Sequence, residues 1–137
     1  MTDTLPIKGA LSVLELNHVA LYVRDLEASV LFYGGVLGLP PLARPAFDFG
    51  GAWFALGSQE LHLIVDTQNQ GRERHSIHIA FLVKDAAACA EALRGRGLTD
   101  LRGPAPRPDG AVQVFLSDPD GYLLEIVSRP LVGDSTP

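Results

Sequence analysis

The chain has 137 residues, of which 47% are hydrophobic, and this is enough to form the packed core of one ordinary domain. The formal net charge of -5 and the lack of any basic run exclude the electrostatic footprint that a nucleic-acid partner needs. Residues 1–10 lack the basic start and apolar core of a signal peptide, and no apolar run is long enough to cross a bilayer. We therefore expect a cytoplasmic protein with neither a nucleic-acid nor a membrane partner.

The first half of the sequence predicts the order β-α-β-β-β. The aliphatic run 14–23 has the length and composition of a strand. Asp25 is placed to cap a helix that ends near Gly38, since two prolines follow at once. Three short strand-like pieces come next, separated by glycine: 42–48, 51–56 and 60–66.

The second half repeats this order after a polar segment, 67–75, that predicts a linker. Asp85 is placed to cap a helix that runs to about Arg96, and residues 118–121, Asp-Pro-Asp-Gly, predict a tight turn. The predicted strands of this half are 76–83, 101–104, 111–117 and 122–127. The chain is thus expected to form one domain of two modules, 14–66 and 76–127, with ends that are mobile or make contacts between subunits, 1–12 and 128–137.

The two halves also correspond residue by residue. His18 opens the segment HVALYVRD, and His78 opens the matching segment HIAFLVKD. Near the end of each half, His62 has its counterpart in Glu125. Three imidazoles and one carboxylate therefore occupy equivalent places in a repeat, which suggests a single metal site.

The alternation of side chains along each strand gives a separate test of that site. Apolar residues at every second position of 76–83 must cover the helices, so His78 faces the other way. The same reasoning turns His18, His62 and Glu125 away from the core. If the two halves lie side by side, these faces form one cavity. Burial of an ionised Glu125 without a counter-charge would destabilise the fold by several kcal/mol. A divalent cation would offset this cost.

Two other side chains are expected to have no catalytic role. Cys89 lies in a run of small residues in the second helix, where a thiol packs as a modest hydrophobe. His75 lies in the polar linker and is expected at the surface.

These residues also carry a family resemblance. The segments Leu16–Leu21 and Leu37–Leu39, the Phe32-Tyr33 pair and the run from Asp118 to Glu125 resemble the vicinal oxygen chelate superfamily. That superfamily includes glyoxalase I, extradiol dioxygenases, fosfomycin-resistance thiol transferases and bleomycin-resistance binding proteins. The resemblance covers about residues 14–127 and implies an α+β fold. Two tandem β-α-β-β-β modules would form a curved mixed sheet, a half-barrel around a metal cavity, in a homodimer.

The resemblance implies that one divalent metal ion is held by His18, His62, His78 and Glu125. Nitrogen donors with one carboxylate suit Zn, Ni, Co or Fe(II) better than Mg or Ca. The implied activity is that of a glyoxalase I-like lyase or isomerase, in which Glu125 moves a proton on a small substrate with vicinal oxygens. The usual family residue at the position of His62 is a glutamate, so this chain departs from the pattern there.

Two other functions of the superfamily stay open at this point. With His62 set aside, His18, His78 and Glu125 match the two-histidine, one-carboxylate set of a small Fe(II) extradiol-type dioxygenase or a fosfomycin-type thiol transferase. A binding protein without chemistry, as in bleomycin resistance, is the third class. The presence of all four ligand-type residues argues against that class.

The substrate environment is less defined by the sequence. Five aromatic residues are candidates for a substrate wall, although packing is the expected role of most of them: Tyr22, Phe47, Phe49, Trp53 and Phe54. Four arginines could contact an anionic part of a substrate, with solvated surface charge favoured for each: Arg24, Arg44, Arg74 and Arg107. No distinct glutathione-binding signature is present.

Overall fold

The computed structural model describes residue 10 and residues 14–68 and 78–130. In chain order, its elements are β1 His18–Val23, α1 Leu26–Val30, β2 Pro41–Leu42, β3 Gly51–Leu56, β4 Gln59–Val65, β5 Ile79–Leu82, α2 Ala86–Gly95, β6 Arg102–Pro106, β7 Val112–Ser117 and β8 Leu123–Ser128. No helix among these residues is both long and apolar enough to span a membrane.

The strands form two open four-stranded sheets with the same topology. The first sheet has the order β1-β4-β3-β2, and the second sheet has the order β5-β8-β7-β6. The parallel pairs are β1 with β4 in the first sheet and β5 with β8 in the second sheet. All other neighbouring strands are antiparallel. The predicted α+β fold with two β-α-β-β-β modules and mixed sheets is confirmed.

Both helices begin as the sequence predicts. The side chain of Asp25 accepts a hydrogen bond from the amide of Ala28, and Asp85 does the same for Ala88, at 3.1 Å in each case. These caps satisfy amides that have no partner within the first turn of a helix. The repeat is therefore visible in local contacts as well as in topology.

The first helix continues beyond α1 as a wider, π-helical turn, Leu31–Val36. Its signature is the bond from the amide of Leu37 to the carbonyl of Phe32, five residues earlier, at 2.9 Å. A side-chain carbon at Gly34 would lie 3.0 Å from the ring of Phe54, so glycine at this position lets the turn lie closely on β3.

The predicted strand at 42–48 is wrong beyond its first residue, because β2 contains only Pro41–Leu42. Pro45 has no amide hydrogen for a sheet ladder, and Arg44 folds the segment back by donating to the carbonyl of Phe49 at 2.7 Å. The other strand ends differ from prediction by a few residues, as is usual at boundaries. Residues 69–77 and 131–137, with His75, Arg74 and most of the linker and C-terminal end, lie outside the described residues.

The core lies between the sheets and their helices. Strand alternation is confirmed in β1, where Leu21 and Val23 are buried while Ala20 and Tyr22 are exposed. The largest fully buried side chains are Tyr33, Leu61, Leu63, Leu116, Leu124, Val23, Val114 and Ser29. One face of each sheet is therefore covered, and the opposite face carries the candidate site residues.

A buried polar cluster joins the two halves of the chain. The hydroxyl of Tyr33 donates to Asp118 at 2.7 Å, and both the amide and Nε of Arg24 donate to Asp120 at 3.0 Å. Both carboxylates belong to the turn predicted at 118–121, in which Gly121 has a φ of 89°. The interpretation of Arg24 as a solvated surface charge is wrong, because a buried carboxylate pairs with it.

The pKa values in this cluster follow from burial. Loss of water raises the pKa of Asp118 above its usual 3.8, although the hydrogen bond from Tyr33 acts in the opposite direction. Burial and the neighbouring Asp118 carboxylate raise the pKa of Tyr33 far above its usual range, so the phenol stays protonated. The protonated phenol can therefore act as a permanent donor to Asp118.

The raised pKa of Asp118 predicts a pH dependence of stability. The folded protein holds the proton of Asp118 more tightly than the unfolded chain does. Protonation of Asp118 therefore adds to the free energy of unfolding at low pH. It is lost as the pH rises from the usual value of 3.8 through the higher folded-state value. Urea unfolding of the wild type and Asp118→Asn between pH 3 and pH 8, about the range that matters, should show the wild type losing stability relative to the variant as the pH rises. A constant difference, or a relative gain by the wild type, would contradict this assignment.

Candidate metal centre

Two of the predicted ligands lie together on the outward face of the first sheet. The parallel register places Ala20 opposite His62, and the rings of His18 and His62 stack with centroids 4.1 Å apart. His18 is exposed, whereas His62 is only 9% exposed. Trp53, opposite His62 in the antiparallel register, covers its other side with centroids 3.8 Å apart and parallel planes.

Each of these imidazoles is tied through one nitrogen to an oxygen acceptor. Nδ1 of His18 donates to the side chain of Asn17 at 2.7 Å. Nε2 of His62 donates to Oε1 of Glu60 at 2.8 Å. The other ring nitrogen of a neutral histidine is then left with an electron pair, which is the state required of a metal ligand.

The other two predicted ligands lie together on the second sheet. Nε2 of His78 is 2.9 Å from Oε1 of Glu125. The side-chain amide of Gln113 donates to Oε2 of Glu125 at 2.9 Å. Phe115 packs edge-on to the ring of His78, with centroids 5.8 Å apart. Glu125 is 4% exposed, so its carboxylate is removed from water and held by side chains at both oxygens.

The strand registers make the two pairs equivalent. Ala20 and Trp53 are the neighbours of His62 in the first sheet, and the corresponding neighbours of Glu125 in the second sheet are Ala80 and Phe115. His62 and Glu125 therefore occupy the same position in the two modules, as the sequence repeat suggests.

The structure brings the four residues together as two separate pairs, His18 with His62 and His78 with Glu125. Among the described residues, no group of three or more histidine, cysteine, aspartate and glutamate side chains is arranged to hold a metal ion. The pairs lie on different sheets, so one folded chain does not gather all four predicted ligands around one point. A cavity of about 680 Å³ between the halves is lined by other residues, including Leu37, Leu82 and Cys89.

The aromatic candidates divide into two groups. Phe54 is 2% exposed and belongs to the core, as expected for packing. Phe47 and Phe49 are partly exposed and stack with centroids 5.1 Å apart, and Phe47 also contacts Trp53. Together with Trp53, these two rings extend from His62 into the segment between β2 and β3. Tyr22 is exposed on the same outward face of the first sheet.

The remaining candidates are accounted for by local contacts. Arg44 lies 5.0 Å from the centroids of both Phe47 and Phe49, so it is not a solvated surface charge as interpreted. Arg107 forms an exposed ion pair with Asp109, in keeping with a surface role. Burial and the nearby Asp85 carboxylate raise the pKa of the Cys89 thiol, which disfavours the reactive thiolate.

Two contacts at these pairs were not predicted from the sequence. Glu60 precedes His62 by two positions, so strand alternation places it on the same face, and this signal could have identified it as a partner. Gln113 contacts Glu125 only because of the pairing between β7 and β8. The sequence alone does not give that register.

Comparison with known proteins identifies the family. The Glyoxalase/Bleomycin resistance protein/Dioxygenase superfamily matches residues 15–126, most of the chain. The chain belongs to this superfamily. The resemblance drawn from the repeated plan and from the segments between Leu16 and Glu125 is thereby confirmed.

Two bacterial lactoylglutathione lyases resemble the chain over most of its length. The lactoylglutathione lyase of Salmonella typhimurium is 32% identical over 130 residues, covering 88% of this chain and 96% of that protein. The lactoylglutathione lyase of Escherichia coli O157:H7 is 30% identical with the same coverage. Three plant relatives are longer, and the chain spans between 35% and 43% of their length.

A solved structure gives the same result for the fold. The glyoxalase family protein from Enterococcus faecalis superimposes with a TM-score of 0.71 at 28% sequence identity, covering 83% of this chain and 97% of that one. That protein is named as a member of the glyoxalase family, and the bacterial relatives above are named lactoylglutathione lyases, in agreement with the expected glyoxalase I-like class.

The contact between Gln113 and Glu125 predicts an energetic coupling. Gln113→Leu keeps the volume but leaves a buried carboxylate oxygen without its donor, which should lower the free energy of unfolding by about 1–3 kcal/mol. In a background of Glu125→Gln the same change should cost much less, because no charge is left unpaired. Urea unfolding of the four proteins in this double-mutant cycle measures both values, and equal costs in the two backgrounds would contradict the assigned contact.

Proposed function

We propose that the protein is a metal-dependent lyase whose metal centre is completed by two copies of the chain. His18 and His62 of one copy would join His78 and Glu125 of a second copy around one divalent ion. The observation that carries this proposal is the division of the four ligand-type residues into two pairs on equivalent outward faces. A two-fold symmetric dimer would bring unlike pairs together twice.

The donor chemistry supports a metal ion at this place. Three imidazoles and one carboxylate are a ligand set suited to Zn, Ni, Co or Fe(II). Hydrogen bonds from ligand imidazoles to oxygen acceptors are typical of metal sites, and Asn17 and Glu60 supply such acceptors to His18 and His62. A divalent cation would also compensate the buried charge of Glu125.

The exposed apolar side chains support a partner at these faces. Tyr22 is 48% exposed and shares its face with His18, and Leu82 is 53% exposed and shares its face with His78 by strand alternation. Apolar groups of this size beside polar ligands are typical of surfaces that are covered in an assembly. We infer a homodimer, and the cytoplasmic location expected from the sequence remains a prediction.

The chemistry proposed is a proton transfer on a small substrate with vicinal oxygens, such as the thiol hemithioacetal of a 2-oxoaldehyde. When bound, the metal ion supplies the Lewis acidity that makes a carbon-bound proton removable. Glu125 would take this proton at one carbon and return it to the neighbour, with its carboxylate oriented by Gln113 at Oε2 and by His78 at Oε1. The aromatic side chains of Trp53, Phe47 and Phe49 would form a wall beside the substrate.

Metal loading and turnover test the proposed activity. Protein stripped with a chelator should be inactive and regain isomerisation of a methylglyoxal–glutathione hemithioacetal on adding Ni, Co or Zn, without consuming dioxygen. Glu125→Gln should reduce kcat by about 10²–10⁴-fold, the usual contribution of a positioned base. The matched control is Glu91→Gln on the exposed side of α2, which should leave kcat unchanged.

Three results would contradict the proposed activity. Stability and structure that ignore both chelator and added metal would exclude the metal site. Oxygen uptake with a catechol and Fe(II) would favour the dioxygenase class instead. Ligand binding without turnover under any of these conditions would favour the binding-protein class.

Mixing of two inactive variants tests whether the site is shared. His18→Ala and Glu125→Gln damage different pairs, so a heterodimer of the two variants has one site with both changes and one intact site. Unfolding and refolding of an equal mixture should restore about a quarter of wild-type activity by random pairing of subunits. Each variant refolded alone is the control. Sites formed within single chains predict no recovery in the mixture.

A further inference from the structure

We infer that Glu60 is a positioning residue that selects which nitrogen of His62 binds the metal ion. This inference rests on the proposed metal centre and concerns the position at which the chain departs from its family, with a histidine where the usual residue is a glutamate. The carboxylate is not lost from the site, because Glu60 lies two residues earlier on the same face of β4, with Oε1 2.8 Å from Nε2 of His62.

The two rings that enclose His62 fix its plane. Trp53 lies parallel to it with centroids 3.8 Å apart, and His18 lies on the other side with an interplanar angle of 17° and centroids 4.1 Å apart. A ring held between two flat surfaces cannot tilt without losing both contacts. A half-turn about the Cβ–Cγ bond returns the ring to the same plane, with Nδ1 exchanged for Cδ2 and Nε2 exchanged for Cε1.

Glu60 distinguishes these two orientations. A carboxylate accepts but does not donate, so it holds the orientation and tautomer in which Nε2 carries the hydrogen. Nδ1 is then the nitrogen with an electron pair, and it accepts no hydrogen bond from the described residues. His62 is thereby prepared as an Nδ1 ligand before any metal ion arrives, which reduces the ordering that binding requires.

The backbone holds Glu60 at this place. Its amide donates to the carbonyl of Asn17 at 3.0 Å, and the register of β1 and β4 sets it opposite His18. The side chain of Asn17 in turn accepts from Nδ1 of His18. Each of the two histidines thus has an oxygen acceptor from its own segment of the chain, and the pairing of β1 with β4 brings the two segments together.

Glu60 adds a second carboxylate close to the proposed site. A glutamate ligand at the position of His62 would bring a negative charge into direct contact with the metal ion. In the proposed centre His62 would contact the ion, and Glu60 would place its negative charge one imidazole further away. With Glu125, the site still holds two carboxylates for one divalent cation.

The tautomer of His62 in metal-free protein tests this inference independently of metal binding. Long-range proton–nitrogen NMR of protein with labelled histidine, above the pH at which imidazoles are protonated, should show Nε2–H for His62, identified by its absence in His62→Gln. Glu60→Ala should convert this signal to a mixture of tautomers or to Nδ1–H. Glu60→Gln, whose side-chain amide can donate as well as accept, should also give a mixture of tautomers, and Glu91→Ala is the control for loss of an exposed glutamate.

Metal affinity gives the second readout. Competition with a chromophoric chelator should show Co or Zn binding weakened by about 10–100-fold in Glu60→Ala, with less loss in Glu60→Gln. An unchanged tautomer in Glu60→Ala would overturn the inference. If the wild type binds no metal at all, the proposed function fails, while the NMR result still decides the role of Glu60.

Discussion

The carboxylate of Glu125 is removed from water, and an ionised group buried to this degree requires donors or a counter-charge close by. His78 and Gln113 meet this requirement in part, one at each oxygen. A divalent cation would meet it more completely. The position of Glu125 on β8 determines which residues can surround it, because strand pairing sets Ala80 on one side and Phe115 on the other. The small alanine leaves the outward face open next to the carboxylate.

Two other buried carboxylates, those of Asp118 and Asp120, are stabilised in a different way. Asp118 and Asp120 are held by Tyr33 and by Arg24 from the other half of the chain, so their hydrogen bonds and charges are satisfied within one folded chain. This cluster has a structural role in joining the halves. The contacts of Glu125 come from residues of its own sheet, His78 and Gln113. The contrast between the two places supports a structural role for one and a functional role for the other.

Local patterns predicted much of this protein. Strand alternation placed the core residues of β1 correctly, and the spacing of Asp25 and Asp85 before apolar helices located both caps. The register now shows that His62 and Glu125 are equivalent positions, as the repeat indicated. These features depend on neighbours in sequence or on a period of two, so a single sequence contains them.

Contacts between segments that are distant in the chain could not be predicted from local sequence patterns. Arg24 and Asp120 are separated by 96 positions, and no local pattern relates them. The same limit explains why Gln113 was not found, and why the sequence left open whether the ligand-type residues of the two modules meet within one chain. The strand at 42–48 failed for another reason: an arginine contacting two aromatic rings replaced the pairing that β propensity suggested.

We propose that two copies of the chain share each metal ion. Diffraction from crystals of protein loaded with Zn, Co or Ni, recorded on both sides of the absorption edge of that metal, locates the ion directly. We expect an anomalous peak bound by His18 and His62 of one copy and by His78 and Glu125 of another. A peak bound by residues of one chain alone, or no peak at these four residues, would contradict it.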